Sequence, residues 1–252
     1  MFIDTHCHLD DPTLLNRLPE VVGNARLAGI DRFIVPGVGP EGWEKIAALA
    51  DGKEGIFPAF GLHPMHADLY GEDVMAELAH HAEGAVAIGE IGLDFLLPEI
   101  SREWQIKAFR GQLRLAVRMG LPLLIHCRRA FQELLRIMRA EQAEKVGGIM
   151  HAFSGSPETA RECIGLGFAI SVAGPATYRN AVKPPELVRN IPLAHLVLET
   201  DSPDMAPEPF RGMVNEPAFL VETAKKVAEI KGVSIDELAA VTTRNAERLL
   251  RL

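Results

Sequence analysis

Short apolar runs alternate with longer amphipathic stretches along the whole chain. Eight runs rich in β-branched and apolar residues read as strands: "FIDTH", "RFIVPG", "IFPAFG", "AVAIGE", "PLLIH", "GGIMH", "FAISV" and "HLVLETD". Their expected ends fall near His8, Gly37, Gly61, Glu90, His126, His151, Val172 and Asp201. Helical spacing fills the intervals. Between Arg102 and Met119, Ile106, Phe109, Leu113 and Val117 recur three or four residues apart, and a second helical stretch runs from Arg129 to Arg139. Strand then helix, repeated about eight times, predicts an α/β fold of the (β/α)8 TIM-barrel type. A doubly wound open sheet is the competing topology. It is disfavoured because no GxGxxG follows the first strand, and because polar residues mark the ends of many strands rather than one crevice.

Beyond the eighth run, Asn215 and Pro217 are placed to start a helix through "AFLVETAKKVAEI" and Gly232 to end it. Ser234 and Glu237 have the spacing of a capping box for a final helix. The proline-rich "SPDMAPEP" reads as a loop over the barrel mouth. No linker or low-complexity segment intervenes, so residues 1–252 are expected to form a single barrel domain with an additional C-terminal helix.

Composition narrows the function. The 252 residues are 48% hydrophobic and 24% charged, enough for one sizeable core. A net charge of −8 argues against the broad basic surface that grips duplex DNA, yet a pocket holding divalent cations is locally positive and can still take a phosphate. No apolar run approaches the ~18 residues of a membrane span and nothing resembles a signal peptide, so a cytoplasmic protein is expected, with no membrane and no obligatory protein partner. Cys7, Cys127 and Cys163 are too few and scattered for a disulfide framework or a zinc ribbon.

In a barrel, polar side chains at strand C-termini converge on one end. Here those positions hold His6 and His8 (first strand), His63 (third), Glu90 (fourth), His126 (fifth), His151 (sixth) and Asp201 (eighth). One histidine after a strand is commonly a capping residue, but seven such groups at corresponding positions of successive repeats point to metal. Period-2 alternation sends His6 and His8 to one face and Cys7 to the other, where it packs as a small apolar residue. Imidazoles and carboxylates without thiolate suit Zn, Mn, Fe or Mg. Glu90, from the middle of the strand order, is the natural bridge between one ion on His6, His8 and Asp201 and another on His126 and His151.

The blocks "IDTHCHLD", "GLHP", "GEIGLD", "IHCR", "HAFSGS" and "LETDSPDM" follow one another across nearly the whole chain. In that order they resemble the signatures of the TatD family of metal-dependent hydrolases, and "ETDSPDM" with "AGPATY" resembles its YjjV-like branch. The resemblance implies an amidohydrolase-like TIM barrel, two divalent cations (Zn, Mn, Mg, Fe or Ni) and deoxyribonuclease or phosphodiesterase activity. By motif position it carries metal binding onto His6, His8, Glu90, His126, His151 and Asp201, and substrate contact onto His63. After "GEIGLD" the chain has Phe95, Leu96, Leu97 and Pro98, where many members carry an aromatic pair and a basic residue.

Arg128 can grip a phosphate oxygen, or simply face solvent. "FSGS", with Ser154, offers N–H groups and hydroxyls to an anion, although Ser156 and Pro157 read equally well as a plain helix cap. Lys225, Lys226 and Lys231 read as a solvated helix face. The leading expectation is hydrolysis of a phosphodiester at a DNA or RNA end, with Asp201, Glu90 and His63 as catalytic residues. The alternative keeps the metals and cleaves an amide, lactone or aminoacyl ester. It is disfavoured because "AVAIGEIGLD" offers no lysine to bridge two ions, as a modified lysine does in many binuclear amidohydrolases.

Overall fold

The computed structural model describes residues 1–252. Eight strands carry the apolar runs: β1 Phe2–Asp4, β2 Ile30–Pro36, β3 Ile56–Phe60, β4 Ala87–Asp94, β5 Leu123–Arg128, β6 Gly148–Met150, β7 Phe168–Val172 and β8 Leu196–Leu198. They pair in parallel and in chain order, β1 through β8. This sequential order excludes the doubly wound alternative. Backbone bonds from Thr5 N to Leu198 O (3.1 Å), Asp201 N to His6 O (2.9 Å) and His8 N to Ser202 O (2.8 Å) join the two edges. The result is a nearly closed TIM barrel.

The helices are α1 Pro12–Leu15, α2 Leu18–Leu27, α3 Pro40–Ala50, α4 Glu72–Ala82 and α5 Arg102–Met119 in the first half. The second half holds α6 Phe131–Ala140, α7 Pro157–Gly165, α8 Lys183–Asn190, α9 Leu220–Lys231 and α10 Ile235–Leu250. The helix predicted from Arg102 to Met119 forms as α5, with Ser101 accepting from Trp104 N at its start and Gly120 left-handed at its end. Phe109 and Leu113 lie on its buried face beside Gln105 and Gln112, while Ile106 and Val117 are only partly buried. Gly232 ends α9 and Ser234 caps α10 as expected. Asn215 does not start a helix. Its side-chain amide donates to Thr200 O and Asp204 O at 2.9 and 2.6 Å, clamping the loop after β8, and α9 begins only after a 3₁₀ turn over Pro217–Phe219.

Each strand sends one apolar side chain into the barrel axis: Ile3, Ile34, Ala59, Ala87, Leu124, Ile149, Ala169 and Val197 form one buried cluster with Ala246, Leu249 and Leu250 of α10. The interior is therefore packed rather than hollow. Asn245 of α10 donates to Leu193 O and Leu196 O, and Thr243 to Met1 O, so the last helix closes the N-terminal end. Only the C-terminal end of the barrel is left for chemistry.

The strands are shorter than the apolar runs suggest. β1 stops at Asp4, β6 at Met150 and β8 at Leu198, so His6, His8, His151 and Asp201 stand one to four residues beyond their strands. β4 errs the other way, continuing past Glu90 to Asp94. The β4–β5 register shifts between Ile88 and Ile91, and Glu90 N leaves the ladder to donate to Gly37 O (3.1 Å), just past β2. An irregularity of this kind re-aims a side chain. At Gly92, φ is +153° and an added Cβ would lie 1.8 Å from His126 O. Gly92→Ala is therefore expected to cost on the order of 3 kcal/mol and to displace His126. Chemical denaturation and metal analysis of the variant check this, and a stability within about 0.5 kcal/mol of the parent would contradict it.

Candidate metal centre

Glu90 is almost wholly buried, and its two carboxylate oxygens face different partners. Oε2 lies 3.2 Å from His6 Nε2 and 4.0 Å from His8 Nε2, and these two imidazoles stand 3.8 and 3.7 Å from Asp201 Oδ1. Oε1 lies 2.9 Å from His126 Nδ1 and 3.6 Å from both His151 Nε2 and His63 Nε2. All seven groups singled out in the sequence thus meet at one place. The strand-edge bonds of Asp201 N to His6 O and of His8 N to Ser202 O bring the HxH segment against Asp201 directly.

These spacings suit cations. Donor atoms about 2.0–2.2 Å from one tetrahedral ion stand roughly 3.4 Å apart, and the contacts above straddle that value. His6 Nδ1 and Nε2 are buried without a hydrogen-bond partner. Buried polar atoms left in this state call for a ligand. Three groups of donors lie close enough to hold an ion: His6, His8 and Glu90; His6, His151 and Glu199; His63, Glu90 and His126.

Burial lowers the His6 and His63 pKa values, the latter to about 3, so both imidazoles are neutral. Glu90 is subject to the same desolvation, but the histidines around it outweigh this and hold it well below the usual carboxylate range. Burial likewise opposes protonation of His151, yet Glu199, Asp201 and Glu90 raise it to about 10. His6 and His151 stack with ring centroids 3.5 Å apart, so the charge on His151 further discourages one on His6. A cation entering here must displace the His151 proton. Metal uptake at pH 7 is expected to release protons and to weaken as pH falls, since acid keeps the imidazole occupied. Zinc titration in a weakly buffered indicator solution checks this, and proton-neutral uptake would contradict it.

His63 stands apart from the others. Its Nδ1 accepts from Met65 N at 3.2 Å, which leaves Nε2 carrying the proton as a donor toward the site. That arrangement suits contact with substrate better than ligation.

Three acidic residues that the sequence reading did not single out complete the arrangement. Glu199 Oε1 lies 3.1 Å from His151 Nδ1 and accepts from Ala152 N at 2.6 Å. Asp94 Oδ2 lies 3.4 Å from His126 Nε2. Asp4 accepts from Thr200 N and Thr200 Oγ1 at 2.9 and 2.5 Å, and burial pushes its pKa up to about 7. Carboxylates behind imidazoles fix ring orientation at metal sites. Glu199 had a signal, because it sits two residues before Asp201, the same spacing as His6 and His8.

Arg128 and Ser154 are exposed and lie at the rim of the mouth rather than among the donors. Ser156 caps α7, accepting from Thr159 N with Pro157 at the first turn, which is the plain reading of "FSGS". Lys225 and Lys226 pair with Glu222 and Glu229 on their own helix. Lys231 differs from the expected solvated lysine: its ammonium caps Arg189 O and Ile191 O at the end of α8.

Cys7 is fully buried in the cluster between strands and helices, its thiol donating to Ile34 O at 3.7 Å. Burial raises its pKa well above the normal thiol value, as it does for Cys127, and Cys163 is pushed up to about 12. Cys7→Ser is expected to leave metal content and turnover within about twofold while costing about 1–2 kcal/mol of stability. A large loss of bound metal would show the thiolate to be a ligand.

The family model described as TatD related DNase matches residues 3–251. The chain belongs to the TatD family. A metal-dependent hydrolase of Bacillus subtilis, YabD, is 40% identical over the full length of both chains. The crystal structure of YjjV, a TatD homologue from Escherichia coli, superposes with a TM-score of 0.95 at 33% identity, covering 100% of this chain and 98% of that one. The human protein named deoxyribonuclease TATDN3 is 32% identical, with 98% of this chain and 93% of its own covered. This chain is accordingly a metal-dependent hydrolase of the TatD family, and its clustered histidines and glutamate suit divalent cations. No helix in it is long and apolar enough to cross a membrane.

Proposed function

We propose that the protein hydrolyses phosphodiester bonds in single-stranded DNA or RNA, acting at strand ends. Two divalent cations would be held by His6, His8 and Asp201 on one side and by His126 and His151 on the other, with Glu90 available to both. The observation that carries this reading is the division of Glu90, one oxygen facing each group of imidazoles. The name deoxyribonuclease borne by TATDN3, and the family description, support the phosphodiester as the bond attacked.

When bound, the cations supply a nucleophile at neutral pH and offset charge on the phosphoryl oxygens. The chain's own groups do the remaining work. Asp201, with a side chain 14% exposed at the mouth, receives the proton of the attacking water at a carboxylate oxygen. His63 donates from Nε2 to a phosphoryl oxygen and fixes its orientation. Asp94 and Glu199 hold the His126 and His151 rings in register.

Metal-stripped protein reconstituted with zinc, manganese or magnesium should cleave single-stranded DNA or RNA, and a simple phosphodiester, more rapidly than an amide, lactone or aminoacyl ester. Turnover of the aminoacyl ester alone would replace this reading with the amidohydrolase type.

A further inference from the structure

Beside the metal centre lies an apolar cavity of about 290 Å³, at the lower edge of the ~300–1,000 Å³ range of small-molecule sites. Its floor abuts the centre. Ala152 follows His151 and donates to Glu199, and Ser171 lies 3.4 Å from Thr5 next to the HxH segment. Its walls are Phe153, Ala173, Pro175, Leu187 and Met205. Phe153 is braced by Phe131, ring centroids 5.1 Å apart. Gly155 makes that pair possible, since an added Cβ would lie 2.5 Å from Phe153 and 3.2 Å from Phe131.

A second depression adjoins the first and shares Ser154 and Lys183 with it. It adds Arg128 and Arg129. None of these three cations is among the ion-paired side chains of the chain. On a protein of net charge −8, three unpaired cations against an apolar cavity are a local inversion of the surface. Arg128 stands opposite Asp94 in the β4–β5 ladder, and Asp94 in turn faces His126, which ties the basic depression to the centre.

An apolar slot with an aromatic wall, followed at once by a cluster of cations, matches the alternation of uncharged base and charged phosphate in a single strand. An uncharged lipid or hydrocarbon would leave the cations without use. Resting on the phosphodiester reading above, we propose that the cavity takes the nucleobase flanking the scissile phosphate, and that Arg128, Arg129 and Lys183 take the next phosphate along the strand. The substrate thus needs one intact base at that position and at least two phosphates. This assigns substrate contact to Phe153 and Ala173, which lie within the quoted blocks without a role of their own, and to Lys183, which lies outside them.

The test crosses substrate changes with protein changes. Metal-loaded protein is assayed on a single-stranded trinucleotide, on versions with one abasic residue at each position, and on versions with each phosphate replaced in turn by an uncharged methylphosphonate, all in deoxy and ribo form. In the parent protein, one abasic position and one methylphosphonate position should each lower kcat/KM about tenfold or more. Filling the cavity with Ala173→Phe should shrink the abasic penalty below about threefold. Lys183→Ala, at an exposed position that folding tolerates, should do the same to the methylphosphonate penalty. Penalties of equal size in parent and variants overturn the subsite assignment while the phosphodiester reading stands. Failure of every phosphodiester substrate, with metal bound, overturns both. A difference confined to the ribo or deoxy series identifies which nucleic acid the cavity serves.

Discussion

Glu90→Ala is expected to reduce bound metal from the two ions per chain of the proposed site to one or none, and turnover by about 10³-fold or more, equivalent to roughly 4 kcal/mol of barrier. The expectation comes from counting donors. Without Glu90, His6, His8 and Asp201 still form a three-donor site, but the second group falls to His126 and His151, too few to hold an ion tightly in competition with water. The loss should be selective, leaving one class of ion weakly bound and the other nearly absent. Glu90→Gln sharpens the experiment, because an amide keeps the volume in a fully packed setting while presenting one acceptor oxygen in place of two. Elemental analysis after equilibrium dialysis, with near-ultraviolet circular dichroism to confirm packing, gives the answer. Retention of both ions at full occupancy in either variant would remove Glu90 from the bridging role.

How much of this was legible in the sequence depended on whether a feature is periodic. The barrel was legible because its strand and helix periods repeat, and α5 matches its sequence reading from Arg102 to Met119. The HxH segment was legible for a reason that proved slightly different. β1 ends at Asp4, so the pleat of a regular strand does not aim His6 and His8; the bonds to the β8 edge do, through His6 O and His8 N. Glu90 was found as a strand-end acid, yet it stands inside β4 at a break in register, and no pattern of apolar residues encodes a break. Asp94 and Glu199 were missed for a related reason. Both lie behind an imidazole rather than beside the cavity, so their importance follows from the side chain they touch, across 32 and 48 residues of chain, and not from position in a repeat. Asn215 shows the limit most plainly, since its amide serves two loop carbonyls instead of a helix start.

Asp201→Asn separates metal binding from chemistry. Asp201 lies three residues past β8 with a left-handed backbone (φ +57°), a conformation aspartate tolerates, and its N–H is held by His6 O. Its Oδ1 faces His6, His8 and His151 at 3.7–3.8 Å. Asparagine keeps the shape and a neutral donor oxygen but cannot accept a proton at pH 7. If Asp201 is the base, turnover on a phosphodiester should fall by about 10²–10⁴, the usual range for lost general-base help, whereas metal content should fall by far less because Glu90 and the four imidazoles remain. His63→Ala is the comparison that isolates this effect. With Nδ1 accepting from Met65 N, its Nε2–H would donate to the substrate under the proposed function, so its removal should raise KM or misplace the phosphoryl group before it alters metal content. Parallel measurement of kcat, KM and bound metal for both variants distinguishes the two roles. Near-parental hydrolysis by Asp201→Asn with both ions in place would mean that the proton leaves by another route, and would remove Asp201 from the role of base.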